Sequence, residues 1–185
     1  MAHGTPKNDP LPDWYLREIG RVAVEWSKVE AALETIIWAF LFIDFEQTSA
    51  WHREPEGRAV TTHINLLLRV DMMLSLKSAA AAATLFNTIP VFDELDGIAK
   101  EVRALYPRRN KVVHSIWSPV GTMVLRQSYR ARGDVSPLYD VMTLEDVKTV
   151  ADEAEALYLK LDEFIPRLSL ELRELRTQWY KREKK

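Results

Sequence analysis

From Asp13 onward the apolar residues Leu16, Ile19, Val22, Trp26, Val29, Leu33, Ile36, Ile37 and Phe40 recur at intervals of three and four. That period gathers one stripe on a helix, so a long amphipathic helix is predicted from an Asp13 cap to about Leu41. A loop rich in Pro and charge near Arg53–Gly57 precedes a second helical pattern through Ile64, Leu67, Leu68, Met72 and Leu76, which the alanines at 79–83 extend. Thr88 and Pro90 open a third pattern through Phe92, Leu95, Ile98, Val102 and Leu105. Pro107 then either kinks this helix or starts a new one, which is expected to end at Pro119.

Between Gly121 and Thr143 the period changes. Thr122–Tyr129 and Leu138–Met142 carry β-branched and aromatic residues on either side of the turn-forming Arg132-Gly133-Asp134, which predicts a hairpin. Thr143-Leu144-Glu145-Asp146 reads as a helix cap with acidic groups in the first turn. Val147, Val150, Ala154, Leu157, Leu161 and Phe164 continue one face, with a bend expected at Pro166 and an end near Tyr180. The fold class that follows is all-α: an antiparallel bundle of four or five helices with a small inserted β-hairpin at about 121–143. Residues 1–12 are polar and read as a disordered head, leaving 13–185 as a single helical domain.

A length of 185 residues with 47% hydrophobic content suits one domain with a real core. The net charge of -2 hides an asymmetry, because Arg103, Arg108, Arg109, Lys111, Arg126, Arg130 and Arg132 fall within a stretch holding no Asp or Glu. A polyanion is therefore expected to be met locally rather than by the whole molecule. No cysteine is present and the four histidines are scattered, so neither thiolate chemistry nor a metal-ligand cluster is expected, and no cofactor is implied. With no long apolar run and no signal-like start, neither a membrane partner nor export is expected, and the location predicted is cytoplasmic.

Arg109-Asn110-Lys111-Val112-Val113-His114 is the segment where the basic stretch meets a titratable side chain. Spacing alone says little, since Arg58 also precedes His63 by five. The distinguishing features are the polar Asn110 after the arginine, an apolar face expected at Val113, Ile116 and Trp117, and acid-free surroundings. On a helix Asn110 and His114 share a face, while Arg109 lies about 140° round and must reach back. Guanidinium stays charged and forks onto phosphate oxygens, whereas imidazole moves protons near neutral pH, so a phosphodiester is the ligand class this chemistry fits. The other reading of His114 is a structural imidazole bonded to backbone or a carboxylate. Glu25 and Glu30 read as site carboxylates or as structural partners of Arg21, Lys28 or the basic segment.

At these residues the chain resembles the HEPN superfamily, helical-bundle domains whose ribonuclease members carry an Arg, often followed by Asn, Asp or His, and a His four to six residues beyond. Trp117 shortly after the motif, Trp26 and Glu30 on a long first helix, and the closing Thr143-Leu144-Glu145-Asp146 helix extend the likeness over about 13–165. Ser115 stands where many relatives carry Gly, and Ile116 where a modified subclass carries Tyr. The resemblance implies metal-independent RNA cleavage with Arg109, His114 and Asn110 as catalytic residues, and Arg108, Lys111 and Arg103 as phosphate-binding ones. It also implies a homodimer that pairs two motifs, and a toxin or defence role checked by an inhibitory protein. The alternative is a catalytically silent HEPN-like module that binds nucleotides or proteins.

Overall fold

The computed structural model describes residues 10–42, 66–84, 90–120, 123–129 and 137–183. Among them are four helices, α1 Asp13–Phe42, α2 Leu66–Thr84, α3 Pro90–Val113 and α4 Leu144–Glu183. Between α3 and α4 lie three strands, β1 Ile116–Val120, β2 Met123–Tyr129 and β3 Pro137–Val141. The all-α class with a small β insertion is therefore observed. The head, the loop at 53–57, Arg58, His63, Arg130 and the turn at 132–134 lie outside the described residues.

The chain divides into two units, one of residues 1–26 and 105–155 and the other of 27–104 and 156–185. In the second unit, α2 meets α3 through Arg103 with Asp71 and through Lys77 Nζ with Asp96 Oδ1 at 2.5 Å. Helix α3 meets α4 through Lys160 with Glu101 at 2.5 Å and through the two-pronged bond of Arg167 to Glu94 at 2.6 and 2.8 Å. In both pairs, advancing along one helix means retreating along the other, so the neighbours are antiparallel. The apolar stripes face inward as their period requires: Leu33, Ile36, Val70, Leu95, Ile98 and Leu161 are fully buried or nearly so.

In the first unit the start of α1 packs with the end of α3, the sheet and the start of α4. Tyr15 and Leu16 donate their amides to the Pro12 carbonyl at 2.8 and 3.1 Å. Pro12 is thus the capping residue and Asp13 lies in the first turn, where its charge faces the positive helix end. Thr143 forms the expected cap of α4 in full. Its hydroxyl accepts from the Asp146 amide at 3.1 Å, while the Asp146 carboxylate accepts the Thr143 amide and hydroxyl at 2.8 and 2.7 Å.

Helix α3 continues through Pro107, so no new helix starts there, and α4 continues through Pro166. Both prolines are exposed. Two expectations need correction. The motif helix stops at Val113 rather than Pro119, and 116–120 form an edge strand. Pro119 disfavours helix at the residue before it and is tolerated at a sheet edge. The insertion is consequently a three-stranded antiparallel sheet in the order β1-β2-β3, with Trp117 opposite Arg126 and Arg126 opposite Asp140.

Candidate functional site

Every expected site residue except Arg103 lies in the first unit, where α3 ends and the chain turns into β1. The last turn closes through the His114 amide, which donates to the Asn110 carbonyl at 3.1 Å. Ser115 donates its hydroxyl to the Lys111 carbonyl at 2.6 Å, and the Trp117 indole donates to the Val112 carbonyl at 3.0 Å. Three successive carbonyls at the helix end thereby find donors from the residues that follow, as a helix terminus requires. Trp117 also packs against Tyr15, ring centres 5.5 Å apart, so its part is to anchor the turn. The buried valine is Val112, not Val113, and Ile116 is exposed because the helix ends before it.

This turn delivers His114 to the arginine. Arg109 Nη1 lies 3.0 Å from His114 Nε2 and donates to Asn110 Oδ1, also at 3.0 Å. Guanidinium has donors only, so Nε2 must be the accepting nitrogen and the ring proton belongs on Nδ1. The guanidinium sits over the ring of Trp26, 5.9 Å from its centre, and Trp26 in turn lies 6.2 Å from Tyr106. Trp26 is fully buried, which makes it a fixed platform, and a cation over an indole face is held by the ring quadrupole. Arg109 Nε is buried without a partner. His114 is exposed, so the pair opens to solvent at the imidazole.

The sequence-distant carboxylates change the electrostatics. Arg108 is ion-paired with Glu153 of α4, and Arg103, in the second unit, with Asp71. Arg126 reaches Asp140 of β3 at 3.3 Å. The stretch is acid-free along the chain but not in space. Arg109 and Lys111 remain, among the described residues of the stretch, as the cations without a carboxylate partner, and Lys111 is exposed. The expected site residues Arg109, Asn110 and His114 are therefore brought together, Arg108 and Lys111 flank them, and Arg103 is engaged elsewhere. Glu30 lies 3.9 Å from Arg69 in the second unit and so takes a structural role, while Arg21 binds Asp152 and Glu155 at 2.5 and 2.6 Å.

Tyr15 and Asp146 are among the perturbed groups of this unit. Burial pushes the Tyr15 phenol above its ordinary value, reinforced by nearby Asp146, and its hydroxyl donates to the Met142 carbonyl at 2.6 Å. The Thr143 hydroxyl and amide hold the Asp146 carboxyl below the usual range, with Arg108 adding to the effect. Among the described residues no group of three or more His, Cys, Asp or Glu is gathered as a metal ion would need, and no helix is long and apolar enough to cross a membrane. No family model matches the sequence, and no curated protein or solved structure matches it either.

Two contributors are not legible in the sequence as parts of the site. Trp26 stands out there only by its place on the first helix, and nothing links it to Arg109. Arg126 reads as one cation among seven, although its place two residues after Val124 on a strand puts the two on one face, where Val124 is buried.

Proposed function

We propose that the chain is a HEPN-like RNA-binding protein that cleaves RNA at Arg109 and His114. The observation that carries this reading is the 3.0 Å approach of Arg109 Nη1 to His114 Nε2, made by a guanidinium that has no carboxylate partner among the described residues. A phosphodiester is the ligand that such a pair suits. Its oxygens draw the guanidinium off the imidazole, which frees Nε2 to accept the proton of the neighbouring 2'-hydroxyl. The 2'-oxygen then attacks phosphorus as the bond to the 5'-oxygen breaks, leaving a 2',3'-cyclic phosphate. Arg109 stabilises the charge that gathers on the phosphoryl oxygens, and Asn110 keeps Nη1 aimed.

The leaving 5'-oxygen needs a proton while the 2'-oxygen gives one up, and one imidazole performs one of these transfers at a time. A second copy of the chain would supply the other, so a homodimer is part of the proposal, with an inhibitory protein as the partner of a toxin or defence nuclease. A second reading, a silent nucleotide-binding module, draws support from the ion pairs of Arg108 and Arg126, which leave few cations for a long RNA.

Incubating the purified protein with single-stranded RNA in chelator separates the two. Cleavage with cyclic phosphate ends, lost by about 100- to 10,000-fold in His114→Ala, is expected. Equal cleavage of RNA carrying a 2'-deoxy nucleotide at the cut site, or full activity in His114→Ala, would overturn the catalytic role. Binding without any cleavage by the wild type would favour the silent module, and a strict monomer in light scattering would remove the paired site.

A further inference from the structure

Arg126 occupies a position where the strand pattern calls for an apolar side chain. It shares the inward face of β2 with buried Val124, and its own side chain is only 7% exposed. Burying a guanidinium in this way is costly, and a well-packed apolar residue of similar size often stabilises a fold as much or more. Its contacts say what it does instead. Nη2 reaches Asp140 at 3.3 Å, and Nη1 donates to the Ser115 hydroxyl at 3.1 Å.

The Ser115 contact has a directional consequence. A serine hydroxyl carries one proton, and Arg126 can only donate, so that proton cannot point toward the arginine. It goes to the Lys111 carbonyl at 2.6 Å, which closes the last turn of α3 one residue after His114. The guanidinium also places positive charge beside the negative end of that helix. We propose that Arg126 is a positioning residue for His114: held by Asp140, it fixes the Ser115 hydroxyl and with it the turn from which the imidazole meets Arg109. This rests on the reading of Arg109 and His114 as a ribonuclease site for its consequence in catalysis, but not for its consequence in geometry.

The test uses Arg126→Met, which keeps the length and removes the donors, and Ser115→Ala, which removes the acceptor while leaving the Arg126–Asp140 pair intact. The first readout is the nitrogen NMR signature of the His114 ring, assigned by its loss in His114→Ala. In the wild type a single tautomer with the proton on Nδ1 is expected, and in both variants a mixture, with thermal unfolding still cooperative. The second readout is RNA cleavage, where kcat is expected to fall about 10- to 100-fold with little change in KM, since misplacing a reacting group by about 1 Å costs on that order. If Arg126→Met does not fold, Ser115→Ala alone decides. An unchanged His114 signature in a folded variant overturns the proposal whether or not the wild type cleaves RNA. Absence of cleavage by the wild type, with the signature changed as expected, counts against the nuclease reading alone.

Discussion

The salt dependence of RNA binding should report two cations from the described part of the basic stretch, not five. A cation that neutralises a phosphate of single-stranded RNA releases counterions and steepens the plot of log affinity against log salt by about 0.7. Arg108, bound to Glu153, can reach a phosphate only by leaving that carboxylate uncompensated, so it adds no net neutralisation, and the same holds for Arg103 with Asp71 and Arg126 with Asp140. Arg109 and Lys111 then set a slope of about -1.4, where five free cations would give about -3.5. Between 50 and 200 mM salt the first corresponds to an affinity loss of about 7-fold and the second to more than about 100-fold.

The assay is fluorescence anisotropy with a labelled oligoribonucleotide, run on the His114→Ala background so that the probe survives. Arg130 and Arg132 add equally to every protein compared, so the decisive quantity is the change on substitution. Lys111→Gln should flatten the slope by about 0.7, and exchanging both members of the pair, Arg108→Gln with Glu153→Gln, should leave it within error of the parent. If the double exchange flattens the slope as much as Lys111→Gln does, Arg108 neutralises a phosphate in spite of Glu153 and the slope of two cations is refuted.

Thr143→Ala removes the reciprocal cap of α4 and should destabilise the protein by about 1 kcal/mol in urea denaturation, while Thr143→Ser should cost little; equal losses for the two would refute the cap. Because Asp146 is held below the ordinary carboxylate range when folded, its contribution is full above the unfolded value and disappears as pH falls through the lower folded one. The urea midpoint should therefore fall less steeply with acid in Asp146→Asn than in wild type below about pH 4. Leu161→Ala, at a fully buried position of α4, should cost about 2–5 kcal/mol by calorimetry or denaturant without altering the His114 ring signature.

What the sequence determined by itself is whatever depends on neighbours within a few residues. A helix buries one stripe of its own surface, so periods of three and four revealed α1, α3 and α4, and the Thr143 cap closes within four residues. The core of the candidate site was legible for the same reason, since Arg109, Asn110 and His114 lie within one and a half turns of each other. The tertiary structure alone decided where the helix gives way to β1, because a strand gains its hydrogen bonds from a partner that no local pattern identifies. It also decided the charge of the site. Glu153 meets Arg108 across 45 positions, Asp71 meets Arg103 across 32 and Asp140 meets Arg126 across 14, so three of the five described cations in the acid-free run are paired in space. The same folding sets Trp26 beneath Arg109 and Arg126 behind Ser115. Coulomb and packing forces act through distance in space, and only the fold converts sequence separation into distance.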